Sequence, residues 1–303
     1  MNNNQYELSP EENEKIFQEN IVPFFTHNKK SSSEPTFVLL VGQPGAGKSS
    51  LSGMYSKKLS EAPVLFGADD LRALHPFRED IMNNHEAEYP FLTKKDSGIW
   101  REKLVDHAIK NNNNILIETI LTNPADWKLG TVERAKAAGY KIRCVVLGVH
   151  EYQSVLGIYS RYEEQKRMTG HGFAPTHQVH DLAYERLPEI VGNMAFHGTA
   201  DSISVYNRDL KCFYDETVNA GNTEVSQNII NAIKVSRNSG INDRELMKIA
   251  AGWEKVLFQM ERRNAPEEET KNVREIFARF KADCKTRQSF FIIGQQKNKA
   301  TSL

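Results

Sequence analysis

The segment Gly42-Gln43-Pro44-Gly45-Ala46-Gly47-Lys48-Ser49 constrains this chain more than any other. It fits G-x-x-x-x-G-K-[ST] and lies directly after the apolar run TFVLLV (36–41) and directly before a stretch of helical composition. Glycines let such a loop curl until successive backbone N–H groups point inward, and the helix that starts near Ser49 adds the positive end of its dipole. The loop from Gly42 to Ser50 is therefore expected to cradle the phosphates of ATP. Lys48 would reach the β- and γ-phosphates, and the Ser49 hydroxyl would ligate Mg²⁺.

Apolar runs alternate with helical stretches on either side of this loop. TFVLLV (36–41), PVLF (63–66), NILIE (114–118), KIRCVVLG (141–148) and SISVY (202–206) are short and rich in β-branched residues, as suits strands covered on both faces. Residues 49–59, 99–110, 126–138 and 151–165 between them read as helices, so an α/β, three-layer P-loop fold with a mostly parallel sheet is expected. Ser9, Pro10 and Glu12 mark the start of an N-terminal helix, and KKSSSEP (29–35) reads as a connector. After Asp215 the chain turns helical over 224–235, 243–262 and 267–285, with the short SFFII (289–293) as the one further strand-like run. This organisation predicts three parts: an N-terminal helix and linker (1–35), a P-loop α/β domain (36–222) and a helical C-terminal extension (223–303).

Composition excludes several partners. The 303 residues carry 39 Lys+Arg against 39 Asp+Glu, so no whole-chain field draws in nucleic acid or an anionic membrane. The longest apolar run is far below the ~20 residues that cross a bilayer. Cys144, Cys212 and Cys284 lie far apart, which fits buried thiols in a reducing cytoplasm, although a chain secreted by another route would have the same sequence. No H-x-x-x-H or H-E-x-x-H spacing makes His107, His177 or His180 a zinc ligand, so these are read as packing or surface residues.

The acceptor side decides between nucleotide-binding classes. No NKxD motif and no strand ending in DxxG appears, which disfavours a regulatory GTPase. The second strand ends in Phe66-Gly67-Ala68-Asp69-Asp70-Leu71-Arg72, and a carboxylate at the carboxyl end of a strand beside the phosphate loop lies where open α/β sheets bind ligands. Asp69 is the expected base that orients and deprotonates an attacking hydroxyl, with Asp70 as a helix cap. Glu118 ends the third strand and could hold acceptor hydroxyls or a Mg²⁺-bound water. Arg161 is placed to fold over the transferring phosphate, or equally to form a surface salt bridge.

Together GQPGAGKSS (42–50), ADDLRALHP (68–76), ILIE (115–118), LGIYSRYE (156–163), APTHQVHD (174–181) and VYNRD (205–209) resemble the zeta toxin family, bacterial P-loop kinases that phosphorylate a UDP-activated amino sugar. The resemblance covers roughly 36–208. It implies Lys48 and Ser49 as phosphate and magnesium residues, Asp69 as catalytic base, Arg161 as the arginine on the transferring phosphate, and Glu118 and Glu102 as carboxylates toward the amino sugar. Two stretches depart from it. His171-Gly172-Phe173 stands where the family commonly has a second phosphate-binding arginine, leaving His171 or Arg167 as its replacement. Thr119-Ile120-Leu121-Thr122 stands where a glycine and an arginine are common, leaving Thr119 on the substrate side.

The expected activity is ATP- and Mg²⁺-dependent phosphorylation of a hydroxyl of UDP-N-acetylglucosamine, which would inhibit bacterial growth. A different small acceptor, such as a nicotinamide nucleotide or an antibiotic, and an ATP-binding interaction protein are the alternatives. An antitoxin protein, or the chain's own N-terminal helix laid over the nucleotide site, would restrain such an activity.

Overall fold

The computed structural model describes residues 5–123 and 127–300, with side chains over 5–123 and 130–285. Ser9 opens helix α1 (Pro10–Ile16): its hydroxyl accepts the Glu12 N–H at 3.2 Å while the Glu12 carboxylate accepts the Ser9 N–H at 3.0 Å. A π-helical turn (Phe17–Ile21) leads into α2 (Val22–Thr26), so the expected single N-terminal helix is one continuous but irregular segment.

The chain then runs β1 (Thr36–Val41), α3 (Lys48–Ser56), β2 (Val64–Gly67), α4 (Ala68–Arg72), α5 (Arg78–Asn84), α6 (Tyr89–Leu92), α7 (Lys94–Lys110), β3 (Ile115–Thr119) and α8 (Trp127–Ala137). It continues with β4 (Lys141–Leu147), α9 (Glu151–Thr169), α10 (His177–Phe196), β5 (Ser202–Tyr206), β6 (Cys212–Thr217), α11 (Thr223–Asn238), α12 (Asp243–Arg262) and α13 (Glu267–Ala300). The sheet order is β2-β3-β1-β4-β5-β6. The first five strands in sequence are mutually parallel and β6 returns antiparallel to β5.

All six residues of β1 are buried, because the strand is central and covered on both faces. Phe37, Leu39 and Val41 face a large core filled by Phe17, Ile21 and Phe25 of the N-terminal segment and by apolar residues of α7, α8, α10 and α11. Val38 and Leu40 face the other way, onto Leu51 and Tyr55 of α3. The N-terminal segment thus packs on the sheet face opposite the helix that follows the phosphate loop. Its hydrogen bonds run to α7, from Trp100 Nε1 to the Asn13 carbonyl at 3.0 Å and from Asn13 Nδ2 to Asp96 at 3.0 Å. That packing does not fit the expectation that this segment lies over the nucleotide site.

Two readings of the C-terminal half are corrected. CFYDET forms β6, which the sequence hides because an edge strand with mostly exposed side chains has no apolar run. SFFII lies inside α13, since a five-residue apolar run carries no period of its own to separate strand from helix. The predicted helix start at Asp126 lies outside the described residues. Helices α12 and α13 form a separate apolar cluster with one side of α9, through Trp253, Val256 and Phe277.

Candidate active site

The carboxyl ends of β2, β3 and β1 lie level with one another: Gly67 pairs with Glu118, and Thr119 pairs with Val41. Adjacent strands are ~4.8 Å apart, so the phosphate loop after β1 and the Asp69 helix after β2 are separated by roughly 10 Å, with Glu118 between them.

The loop's conformation follows from its glycines and from what lies above it. Gly45 and Gly47 have φ of 74° and 94°, left-handed values that L side chains rarely adopt. At Gly45 a methyl group would fall 1.9 Å from the Ser154 carbonyl oxygen, and at Gly157 one would fall 2.4 Å from the Gly45 oxygen. The loop and α9 are therefore in backbone contact through two glycines. Arg161 stands one turn beyond Gly157 on the same face of α9. Its side chain is exposed, and no hydrogen bond or ion pair holds it among the described residues.

Lys48 Nζ donates to the carbonyls of Gly42 at 2.9 Å and Gln43 at 3.2 Å, which keeps the loop curled. Ser49 and Ser50 are exposed at the start of α3, and space is open around Gly47, where an added methyl group would meet nothing within 4 Å. The Gly42–Ser50 loop could hold a polyphosphate chain through its N–H groups and Lys48. No cluster of three or more His, Cys, Asp or Glu side chains is poised for a metal among the described residues. A cation here would take the Ser49 hydroxyl and phosphate oxygens, a set that suits Mg²⁺.

Gln43 differs from its expected part. Its side chain is buried and donates to the Val149 carbonyl at 2.6 Å and to Ser154 Oγ at 3.3 Å, so only its backbone can face a ligand. Pro44 and Ala46 are likewise buried and offer backbone alone. Ser154 Oγ in turn lies 2.8 Å from His180 Nε2, and His180 Nδ1 lies 2.8 Å from Asp181. This relay, buried as far as His180, braces the loop from α9 and α10. Periodicity could not show it, because Gln43 lies 111 residues before Ser154 and Ser154 26 before His180.

Burial lowers the pKa of His180, with Asp181 opposing, and lowers that of His75, with Asp96 opposing. Both imidazoles are held neutral in the fold, whereas the unfolded chain takes up their protons near pH ~6.5. The unfolded state then binds more protons, so stability falls as pH drops below ~6.5. A thermal midpoint that declines from pH 7.5 to 5.5 in the wild type, with a shallower decline in His180→Gln, is the expected result. Identical slopes for the two proteins would show that His180 does not titrate this way.

On the acceptor side, Asp69 is exposed and its Oδ1 accepts from Arg72 Nη1 at 2.8 Å. Asp70 is occupied as a cap, accepting the Gly67 N–H at 2.7 Å. Glu118 and Thr119 line a small cavity with Gly67, Ala68 and Arg101. Glu102 is engaged elsewhere: Arg101 donates to one carboxylate oxygen from Nε at 3.0 Å and Nη2 at 2.9 Å, and Arg134 to the other at 2.6 Å. The crevice is thus lined by Arg101, with Glu102 behind it, and this cation was not singled out from the sequence. His171 lies 3.5 Å from the Glu86 carboxylate, which also accepts the Gly172 N–H at 2.7 Å and pairs with Lys166 at 2.6 Å. Arg167 is turned to Glu164 on the exposed side of α9. A separate cavity of about 390 Å³ lies beside Phe24, His27 and Leu65 at the β2 edge and is lined by none of residues 42–50.

The family model described as Zeta toxin matches residues 24–219, well over half of the chain. This chain belongs to the Zeta toxin family. It is 28% identical over 195 residues to Toxin PezT of Streptococcus pneumoniae, a match spanning 64% of this chain and 77% of that protein. It is 27% identical over 184 residues to Toxin zeta of Enterococcus hirae, covering 60% of this chain and 63% of that one. Among solved structures, the PezAT chromosomal toxin-antitoxin system of S. pneumoniae superposes with a TM-score of 0.71 at 23% identity, over 84% of this chain and 98% of that chain. The fold is thus the zeta-toxin P-loop kinase fold. The matched residues end at 219, so α11, α12 and α13 lie beyond that match.

Proposed function

We propose that this zeta-toxin family member is a kinase that transfers the γ-phosphoryl group of Mg²⁺-bound ATP to a hydroxyl of UDP-N-acetylglucosamine. The observation that supports the reading is that Asp69, just past the end of β2, and Glu118 of the adjacent β3 lie on the same sheet edge as the phosphate loop, which contacts the helix that bears Arg161. In this reading the Ser49 hydroxyl would hold Mg²⁺, which would supply charge neutralisation at the phosphates. Asp69, steadied by Arg72, takes the acceptor's hydroxyl proton as its oxygen attacks the γ-phosphorus and ADP leaves. Lys48 and Arg161 balance the charge on the transferring group, and Glu118 and Thr119 orient the acceptor.

Depletion of a sugar-nucleotide precursor would inhibit bacterial growth. An antitoxin protein, as the names of the PezAT relatives indicate for them, would restrain the enzyme in the cytoplasm. No helix among the described residues is long and apolar enough to cross a membrane. A kinase acting on another small acceptor is the second reading, favoured by Thr119-Ile120-Leu121-Thr122 beside a cavity lined by Arg101.

Incubating the purified chain with labelled ATP, Mg²⁺ and a panel of UDP-sugars, nicotinamide nucleotides and oligonucleotides tests both. Label on UDP-N-acetylglucosamine is expected. Label on a nicotinamide nucleotide alone moves the assignment to the second reading, and ADP release with no labelled acceptor argues against a kinase of either kind.

A further inference from the structure

Glu163 is an acidic side chain buried to 1% exposure in the middle of α9, two residues beyond Arg161. Its partner comes from the far end of the chain. Arg263, just after α12, donates from Nε to one carboxylate oxygen at 2.9 Å and from Nη2 to the other at 2.8 Å, and Nη2 also reaches Glu269 of α13 at 2.6 Å. A two-pronged guanidinium–carboxylate pair fixes direction as well as distance, and a buried carboxylate deprived of its cation is strongly disfavoured.

Other contacts bind the same side of α9 to the same pair of helices. Tyr152, Val155, Leu156 and Tyr159 enter the apolar cluster around Trp253 and Phe277. Asn272 donates to the Tyr159 hydroxyl at 3.2 Å, and Gln153 donates to Glu245 at 2.7 Å. Gly252 lets α12 approach until an added methyl group would lie 2.5 Å from Leu156.

The opposite side of α9 rests on the phosphate loop through the backbone contact of Gly45 with Gly157, flanked by Ile158 and by Ser154, whose hydroxyl accepts from Gln43. Consecutive helical residues are rotated by about 100°, so Glu163 projects roughly 200° around from Arg161. A two-pronged lock on one side of the helix therefore bears on where the arginine on the other side points.

We propose that α12 and α13, which lie beyond the residues matched by the family model, set the rotation of α9 through the Glu163–Arg263 pair, making Arg263 a positioning residue for Arg161. The inference rests on the phosphoryl-transfer reading given above. Arg263 touches no substrate in this scheme and acts only through the helix. Ground-state ATP binding depends on Lys48 and the loop backbone, which have their own anchors in Gly42 and Gln43, so the effect falls on kcat.

The test measures ADP release from ATP and Mg²⁺ in the presence of UDP-N-acetylglucosamine for the wild type, Arg161→Ala, Arg263→Ala, Arg263→Lys and the Arg161→Ala/Arg263→Ala double variant. Arg263→Ala should lower kcat roughly 10- to 100-fold with the KM for ATP retained, because a displaced catalytic group costs about that much. Arg263→Lys should recover part of it. In the Arg161→Ala background, Arg263→Ala should cost nothing further. A merely structural contribution would instead multiply through both backgrounds, and that outcome overturns the inference while leaving the kinase reading intact. Full kcat in Arg161→Ala overturns the assignment of Arg161 and this inference with it.

Arg263→Ala strands a buried carboxylate and can fail to fold, so Glu163→Leu/Arg263→Met is the second variant, which removes both charges together. If it melts like the wild type, a reduced kcat supports the positioning role and an unchanged kcat overturns it. Failure of both variants to fold overturns it too, because the pair then serves folding before catalysis.

Discussion

Asp69→Asn is expected to lower phosphoryl transfer by ~10²- to 10⁴-fold, the range general-base catalysis contributes, while the KM for ATP stays close to that of the wild type. The substitution keeps size and shape and retains an oxygen to accept from Arg72 Nη1, so α4 should fold as before. What it removes is the ability to take a proton. Asp70→Asn is the matched control. Its side chain can still accept the Gly67 N–H, which caps the helix, and it should turn over nearly as fast as the wild type. Steady-state rates for the two variants separate base from cap. Full activity in Asp69→Asn, or a large loss confined to Asp70→Asn, would remove Asp69 from the chemistry.

Gly45→Ala is expected to have the largest effect on the protein itself. At φ of 74° an L residue is strained by about 1–2 kcal/mol, and the new methyl group would sit 1.9 Å from the Ser154 carbonyl oxygen and 2.9 Å from Ile158. Those neighbours are backbone and core, so α9 or the loop has to shift, at a further cost of about 1–3 kcal/mol. Gly47→Ala carries the backbone strain without the clash, because nothing lies within 4 Å of the added carbon. Thermal melts without nucleotide should therefore show Gly45→Ala clearly less stable than Gly47→Ala. ATP binding should suffer in both, since Gly47 borders the space a phosphate would occupy. Equal melting temperatures would mean that α9 does not bear on the loop as described.

Several elements could be read from short-range pattern because their physical cause is local. TFVLLV is a continuous apolar run because β1 is covered on both faces, and the Ser9–Glu12 capping box needs only four consecutive residues. Edge strand β6 escaped because its stability comes from pairing with β5, while CFYDET carries polar side chains into solvent. The acceptor side was legible to the same depth. Asp69 follows just after the end of β2 and Glu118 is the next-to-last residue of β3, and a strand end has a fixed address in a parallel sheet. Glu102 and Arg101 sit on a helix, where only packing decides which neighbour faces the crevice and which turns to Arg134.

The sequence by itself determined the glycine loop, the five parallel strands in their order along the chain, and the carboxylates at or just after two strand ends, since each depends on neighbours within a few residues. Tertiary structure decided which face of α9 lies on that loop, that Gln43 turns inward to Ser154 and His180, and that the buried Glu163 meets Arg263. Those contacts join segments far apart in the chain, and helical spacing fixes which residues share a face without naming what the face will meet.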